Sequence, residues 1–313
     1  MEFNSIKHSL SDLIEKSISP LITGNYVFWG LPNYPNEGDV LIWQGTRSFL
    51  KTIPHRCVGT LFYDEYQYRE LAKDTVILIM GGGYFGDTWR KAWEYVVNTV
   101  SLYPDNPIVF LPQSIHYQSD EFLSRDREML AKCKHLTICA RDKSSYDFAR
   151  NHFGQHRILL VPDMAFYIKD FYCKKREGKG SLYIKREDKE SVPLKNQSLL
   201  NDVDLITDWP SIKGYASLTF CFSVYAKLRR FWSRPFPHYL SVCWMEWIYR
   251  PIMIRHAVRL LKPFRDVYTS RLHGALLALM MGKNVHYLDN TYGKLSNLHH
   301  TWLLACDHLE RFD

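Results

Sequence analysis

Four cation-capable side chains stand just beyond apolar runs of this sequence. Arg141 follows residues 136–140, Arg271 and His273 follow 266–269, and Lys294 follows 285–288. An arginine fork matches the paired oxygens of a carboxylate or phosphate. Arg271 and His273 stand where a helix is predicted to start, so they add positive potential to free backbone N–H groups. Together the four suit a small anion carrying more than one negative group. Each also has a plainer reading. Arg141 can pair with Asp142 or another acid, Lys294 can be a solvated loop lysine, and a histidine in this setting is often a satisfied structural residue.

Two more loops belong with these cations. The run Gly81-Gly82-Gly83-Tyr84-Phe85-Gly86-Asp87 contains G-x-G-x-x-G after the apolar residues 76–80. Glycines let backbone approach a ligand and aim N–H groups at an anion. As a dinucleotide fingerprint the run fails. It follows the third predicted strand, and Gln113 and Ser114 stand at the end of the next strand where an acid is required. The loop Asn33-Tyr34-Pro35-Asn36-Glu37-Gly38-Asp39 follows the first predicted strand. Asp39 at a helix start is either a carboxylate steadied by the helix dipole or a simple cap. The absence of G-x-x-x-x-G-K-[ST] excludes a P-loop. His299, His300 and His308 lack ligand spacing and read as surface residues, so no metal site is expected.

Loops of this kind need a rigid frame behind them. Residues 25–30, 57–63, 76–80, 108–111, 136–140 and 158–161 read as strands. Helices are predicted at 40–50, at about 87–102 and between the later strands, with 81–86 as a turn into the second helix. Alternating strands and helices imply parallel βαβ units in a doubly wound sheet, whose ligands sit at the carboxyl ends of the strands. Residues 169–179 are polar and basic and read as a linker. A second series follows, with strands at 181–185, 203–207, 266–269 and 285–288 and an apolar helix at 271–281. The expected division is an N-terminal domain 1–166 and a smaller C-terminal domain 167–313. Within the second, residues 223–265 hold nine basic residues, three tryptophans and one acid, Glu246. That mixture fits a segment at membrane headgroup level. It equally fits ordinary helices whose arginines face solvent or a substrate groove, since the apolar positions form no clean stripe.

With 313 residues, 46% hydrophobic and 23% charged, the chain has a globular composition. Disorder, a disulfide mini-fold and a collagenous chain are excluded. The longest uncharged runs are about a dozen residues, short of the roughly 18 of a membrane span. A signal peptide is not expected, because Glu2, Lys7 and Asp12 interrupt the N-terminus. A net charge of +7 suits an anionic ligand or an anionic membrane surface; no nucleic acid partner is expected. The seven scattered cysteines contain no C-x-x-C and read as free thiols of a reducing cytoplasm.

The motifs also occur as an ordered set: Asn36-Glu37-Gly38-Asp39-Val40-Leu41-Ile42, Gly81-Gly82-Gly83, Pro112-Gln113-Ser114-Ile115, Ala140-Arg141-Asp142, Pro162-Asp163-Met164-Ala165, Ser270-Arg271-Leu272-His273-Gly274 and Tyr292-Gly293-Lys294. This series, from about 24 to 298, resembles the polysaccharide pyruvyl transferase family. The resemblance implies an α/β fold of two Rossmann-like domains with parallel sheets facing a cleft, similar to GT-B glycosyltransferases. It implies phosphoenolpyruvate as donor substrate, no cofactor, and a sugar hydroxyl pair as acceptor, giving a cyclic pyruvate ketal and phosphate. Asp39, Arg141, Arg271, Leu272, His273 and Lys294 match donor-site positions. Gly82, Gly83, Gln113 and Ser114 are expected beside the donor, and Asn36, Asp39 and Asp87 beside the acceptor. The acceptor implied is a lipid-linked oligosaccharide or nascent polysaccharide, bearing galactose or mannose, at the inner face of a bacterial cytoplasmic membrane. Peripheral contact through 223–265 would fit it.

Ketal formation needs a proton on the donor methylene, which builds positive charge at the adjacent carbon for a sugar oxygen to attack. A histidine titrates near neutral pH, so His273 can supply that proton or hold the departing phosphate. Asp39 can accept the hydroxyl proton or only orient the hydroxyl. Two other readings compete. One is a GT-B glycosyltransferase using a nucleotide sugar, which would share the fold. The other is a non-enzymatic, membrane-associated assembly protein.

Overall fold

The computed structural model describes residues 1–65, 69–169, 178–188, 190–192, 203–209, 216–230, 235–289 and 292–312. Two parallel sheets carry it. The first holds β1 (Tyr26–Leu31), β2 (Cys57–Phe62), β3 (Val76–Ile79), β4 (Gly82–Gly86), β5 (Pro107–His116), β6 (His135–Ala140) and β7 (Arg157–Leu160). Their order is β2-β1-β3-β5-β6-β7, with β4 paired to the second half of β5. The second sheet holds β8 (Ser181–Ile184), β9 (Leu205–Thr207), β10 (Asp266–Thr269), β11 (Asn284–Tyr287) and β12 (Leu309–Arg311), ordered β12-β11-β10-β8-β9.

Each sheet therefore starts at an inner strand, sends its second strand outward on one side and builds the rest on the other. This is the flavodoxin-like variant of the doubly wound arrangement, and its ligand crevice lies where the winding reverses. In the first sheet the reversal falls between β1 and β3. In the second it falls between β8 and β10.

Period-two alternation sorts the side chains of β1 and β3. Val27, Trp29, Ile77 and Ile79 face one apolar layer with Trp93 and Val97 of α3 (Arg90–Val100) and Ala149 of α5 (Lys143–His152). Tyr26, Phe28, Val76 and Leu78 face the other, with α1 (Phe3–Ile18) and α2 (Glu37–Leu50). That second layer is continuous with α8 (Arg250–Leu261) and with the almost wholly buried α9 (Leu272–Met280) beside the second sheet. One core thus underlies both sheets. Remaining helices are α4 (Asp120–Leu130), α6 (Ala216–Arg229), α7 (Pro235–Trp244) and α10 (Lys294–Leu298).

Three expectations change. Residues 82–86 are not a turn but strand β4, because β5 runs on through His116 and offers a partner edge. Phe3, Ile6, Leu10, Ile14 and Ile18 recur at helical spacing and bury one face of α1, an element the sequence reading did not include. The stretch 223–265 is helical where it is described. Most of the expected linker, residues 170–177, lies outside the described residues. Among the described residues no helix is long and apolar enough to cross a membrane.

Candidate active site

A pocket of about 570 Å³ lies at the carboxyl ends of both sheets. Its walls include Asn36 to Asp39 after β1, Gly83 of β4, Arg141 after β6, Arg186, Asp188 and Glu190 after β8, Asp208 after β9, Arg271 to His273 after β10, and Lys294. Both winding reversals therefore open on one space.

Arg141 is the best-anchored cation. Its Nε donates to Ser114 Oγ at 2.8 Å and its Nη1 to Asp163 Oδ2 at 2.7 Å. The pairing is with Asp163, not Asp142; Asp142 instead caps α5 through Ser145 N and accepts from Ser114. His273 Nε2 stands 3.3 Å from the same Asp163 oxygen. Burial alone would raise the Asp163 carboxyl. The charge and hydrogen bond of His273, the Arg141 charge and the Ala165 N–H outweigh it, so Asp163 lies well below the ordinary carboxylate range. The fully buried Asp163 carboxylate fixes the Arg141 and His273 side chains in orientation.

Lys294 reaches the same place from the far side. A Cβ built on Gly83 would stand 2.9 Å from Lys294 Nζ and 3.1 Å from Arg141 Nη2. Only a glycine lets both charges close over the backbone there. Burial lowers the Lys294 ammonium to about 8, with Glu190 pulling it back up and Arg141 pushing it further down. Glu190 bonds Lys294 Nζ at 2.8 Å and also meets Arg186 and the indole of Trp89.

Asp39 Oδ2 accepts from Tyr34 Oη and Asn36 Nδ2, both at 2.8 Å. Asn36 also caps α2 through Gly38 N. Burial raises the Asp39 pKa, and His273, the Tyr34 hydrogen bond, Lys294 and Arg141 offset only part of it. Beside it, Glu37 is 1% exposed, and its Oε1 has no hydrogen-bond partner among the described residues. Burial lifts Glu37 to about 8 against the pull of its own backbone N–H and Arg271. It therefore lines the pocket largely as a neutral acid. Arg271 is forked by both oxygens of Asp208.

Of the expected site residues, Asn36, Asp39, Gly83, Arg141, Arg271, Leu272, His273 and Lys294 come together on these walls. Four do not line the pocket as anticipated. Asp87 accepts from the backbone N–H groups of Gln118 and Ser119 just before α4 and does not line the pocket. Gln113 is fully buried and donates to Met80 O, tying β5 to the end of β3. Ser114 acts through Arg141. Gly82 lies behind Gly83 and is not a wall residue. His299, expected at the surface, bonds Tyr287 Oη through Nδ1 at 3.0 Å. Among the described residues no group of three or more His, Cys, Asp or Glu is gathered as a metal site.

Asp163, Arg186, Asp188, Glu190 and Asp208 were missed. The rule that singled out Arg141, a polar residue just past a buried strand, applies to Asp163 after β7, Arg186 after β8 and Asp208 after β9. Glu37 stood in the loop singled out after β1, but its raised pKa comes from burial, which no spacing along the chain shows.

A doubly wound α/β frame with a cation-walled pocket at its reversal points defines a protein that handles a small anionic group. The chain belongs to the polysaccharide pyruvyl transferase family, whose model matches residues 36–292. It is accordingly a transferase of pyruvyl groups in polysaccharide biosynthesis. It is 31% identical over 305 residues to the Bacillus subtilis pyruvyl transferase EpsO, covering 96% of this chain and 91% of that protein. It is 24% identical to pyruvyl transferase 1 of Schizosaccharomyces pombe, covering 88% and 69%. A functionally uncharacterised protein of Klebsiella pneumoniae shares the fold, with a TM-score of 0.61 at 16% identity over 97% of this chain and 98% of that one.

Proposed function

We propose that the protein transfers the enolpyruvyl group of phosphoenolpyruvate to two hydroxyls of one sugar, forming a pyruvate ketal and releasing phosphate. The observation that carries this reading is the convergence of Arg141, Lys294 and His273 around Gly83 and Asp163. Phosphoenolpyruvate bears a carboxylate and a phosphate on three carbons, and fixed donors from opposite walls match that compactness. The donor phosphate would exchange places with Asp208 on Arg271.

In this reading a proton passes from His273 to the methylene carbon, and positive charge develops at the adjacent carbon. A sugar oxygen bonds to that carbon and gives its proton to Asp39. The bond to the phosphate oxygen then breaks, its electron pair leaving with phosphate, and the second hydroxyl closes the ring and returns a proton to His273. Asp163 holds His273 in place, and the raised pKa of Asp39 suits it to accept a proton. Trp89, Trp209 and Tyr63 on the pocket wall offer faces for a sugar ring. The acceptor is a galactose or mannose unit of a lipid-linked oligosaccharide or polysaccharide at the cytoplasmic side of the membrane, in exopolysaccharide assembly. Residues 1–166 and 167–313 act as two Rossmann-like domains of a GT-B-like pair around it.

The test is direct. Phosphoenolpyruvate, not a UDP-sugar, should raise the unfolding midpoint, because a ligand that binds only the native state stabilises it. Incubation with phosphoenolpyruvate and galactose- or mannose-bearing glycolipids should then give acceptor mass gain together with free phosphate. A shift with UDP-sugars alone, or no phosphate with any acceptor, overturns the reading.

A further inference from the structure

Helices α6 and α7 and the π-helical turn Met245–Tyr249 pack as a group against the loop that carries Asp39. Tyr225 Oη accepts from Asn33 Nδ2 at 2.9 Å, and Tyr249 Oη donates to Tyr34 O at 3.0 Å. Arg229 pairs with Asp64, and Glu246 is held by Trp43, Arg47 and Arg250. The inner face of the group is thus held against the first sheet's side of the molecule by hydrogen bonds and ion pairs.

The outer face is not. Phe236 and Trp247 are each 70% exposed, Tyr239 63% and Phe220 62%. Leu240 and Ile248 are exposed beside them. Positions 236, 239, 240 and 247 fall on one side of a helix, and the Phe220 ring lies 6.1 Å from that of Trp244, joining the α6 face to the stripe. Large aromatic side chains clustered in this way on a protein surface mark a contact site. The exposed charges of residues 216–265 have one sign among the described residues. Lys227, Arg230, Arg255 and Arg259 are exposed, whereas Glu246, the only acid between 216 and 265, is buried between arginines.

We propose that this face docks flat on an anionic bilayer, with Phe236, Tyr239 and Trp247 at headgroup level and Lys227 and Arg230 toward lipid phosphates. Aromatic rings favour that depth, and exposed cations add attraction to anionic lipid. Through Asn33 and Tyr34 the docked helices hold the loop of Asp39, so the pocket is kept beside the surface where a lipid-linked acceptor resides. The docking is argued from exposure and charge and does not depend on the donor.

Cosedimentation with vesicles tests it without any turnover. The whole protein should pellet with equimolar phosphatidylcholine and phosphatidylglycerol at low salt, and far less with phosphatidylcholine alone or at high salt. Phe236→Ser with Trp247→Ser should weaken binding at least about tenfold, and Lys227→Glu or Arg230→Glu about fivefold each. Unchanged melting of the variants would show that folding is intact. Failure of wild type to pellet with the anionic vesicles overturns the proposal. So does equal pelleting by the double variant, or a stable dimer in light scattering that the double variant converts to monomer.

Discussion

Arg141 and His273, 132 positions apart in the chain, meet on a single oxygen. Asp163 Oδ2 takes the Arg141 Nη1 bond at 2.7 Å and faces His273 Nε2 at 3.3 Å. Each side chain alone is free to rotate. Locked to one fixed carboxylate, they present a preorganised edge to a ligand, which is where electrostatic stabilisation of a reacting group is strongest.

Removing that carboxylate should be costly. Asp163→Asn leaves Arg141 buried without its counter-charge, and one-sided loss of a buried pair costs about 3–5 kcal/mol. Denaturant unfolding measures it. A loss under about 1 kcal/mol would mean that Arg141 finds another acid.

His273→Ala should lower phosphate release from phosphoenolpyruvate by roughly 10²-fold or more, the scale of a lost general acid. A fall of only about threefold would remove His273 from proton transfer, leaving it at most a phosphate contact.

Gly83→Ala puts a methyl group against Lys294 Nζ and Arg141 Nη2. Both can retreat by rotating, so the fold should survive while the donor KM rises about tenfold or more, the equivalent of about 1.4 kcal/mol of binding. Arg141→Lys should raise the same KM, because lysine keeps the charge but not the fork. Steady-state kinetics with varied phosphoenolpyruvate decides both. An unchanged KM in either variant would move the donor away from Gly83.

Glu37 gives the protein a pH signature. Its folded-state pKa is raised to about 8, above the ordinary value of about 4.3. Between those values the folded state holds a proton that the unfolded chain has released, so stability falls as pH rises from about 4.5 to 8. Glu37→Gln removes that dependence and should melt higher than wild type at pH 8. Melting curves across the range check it; parallel curves for the two proteins would show that Glu37 is ionised when folded.

Much of the frame was legible in the chain. The strand at 76–79 is a short continuous apolar run closed by the glycines from Gly81, the pattern of a buried parallel strand. The loops after such strands were legible too, because a doubly wound sheet exposes only its carboxyl ends to ligand. Strand β4 was not. Glycines score against a strand, and its pairing depends on how far β5 continues. The exposed stripe along α7 and the π-helical turn after it escaped as well, since Phe236, Tyr239 and Trp247 look like core residues until one knows which side of the helix has a neighbour.

The sequence by itself determined which side chains end on the ligand edge of each sheet, since strand periodicity is local and a residue after a strand has nowhere else to go. Only the tertiary structure decided that the two winding reversals open on one pocket. It alone set Asp163 under both Arg141 and His273, and it made Glu37 a neutral acid. Those facts depend on contacts between residues distant in the chain and on how much water the packed walls exclude, and no spacing along the chain records either quantity.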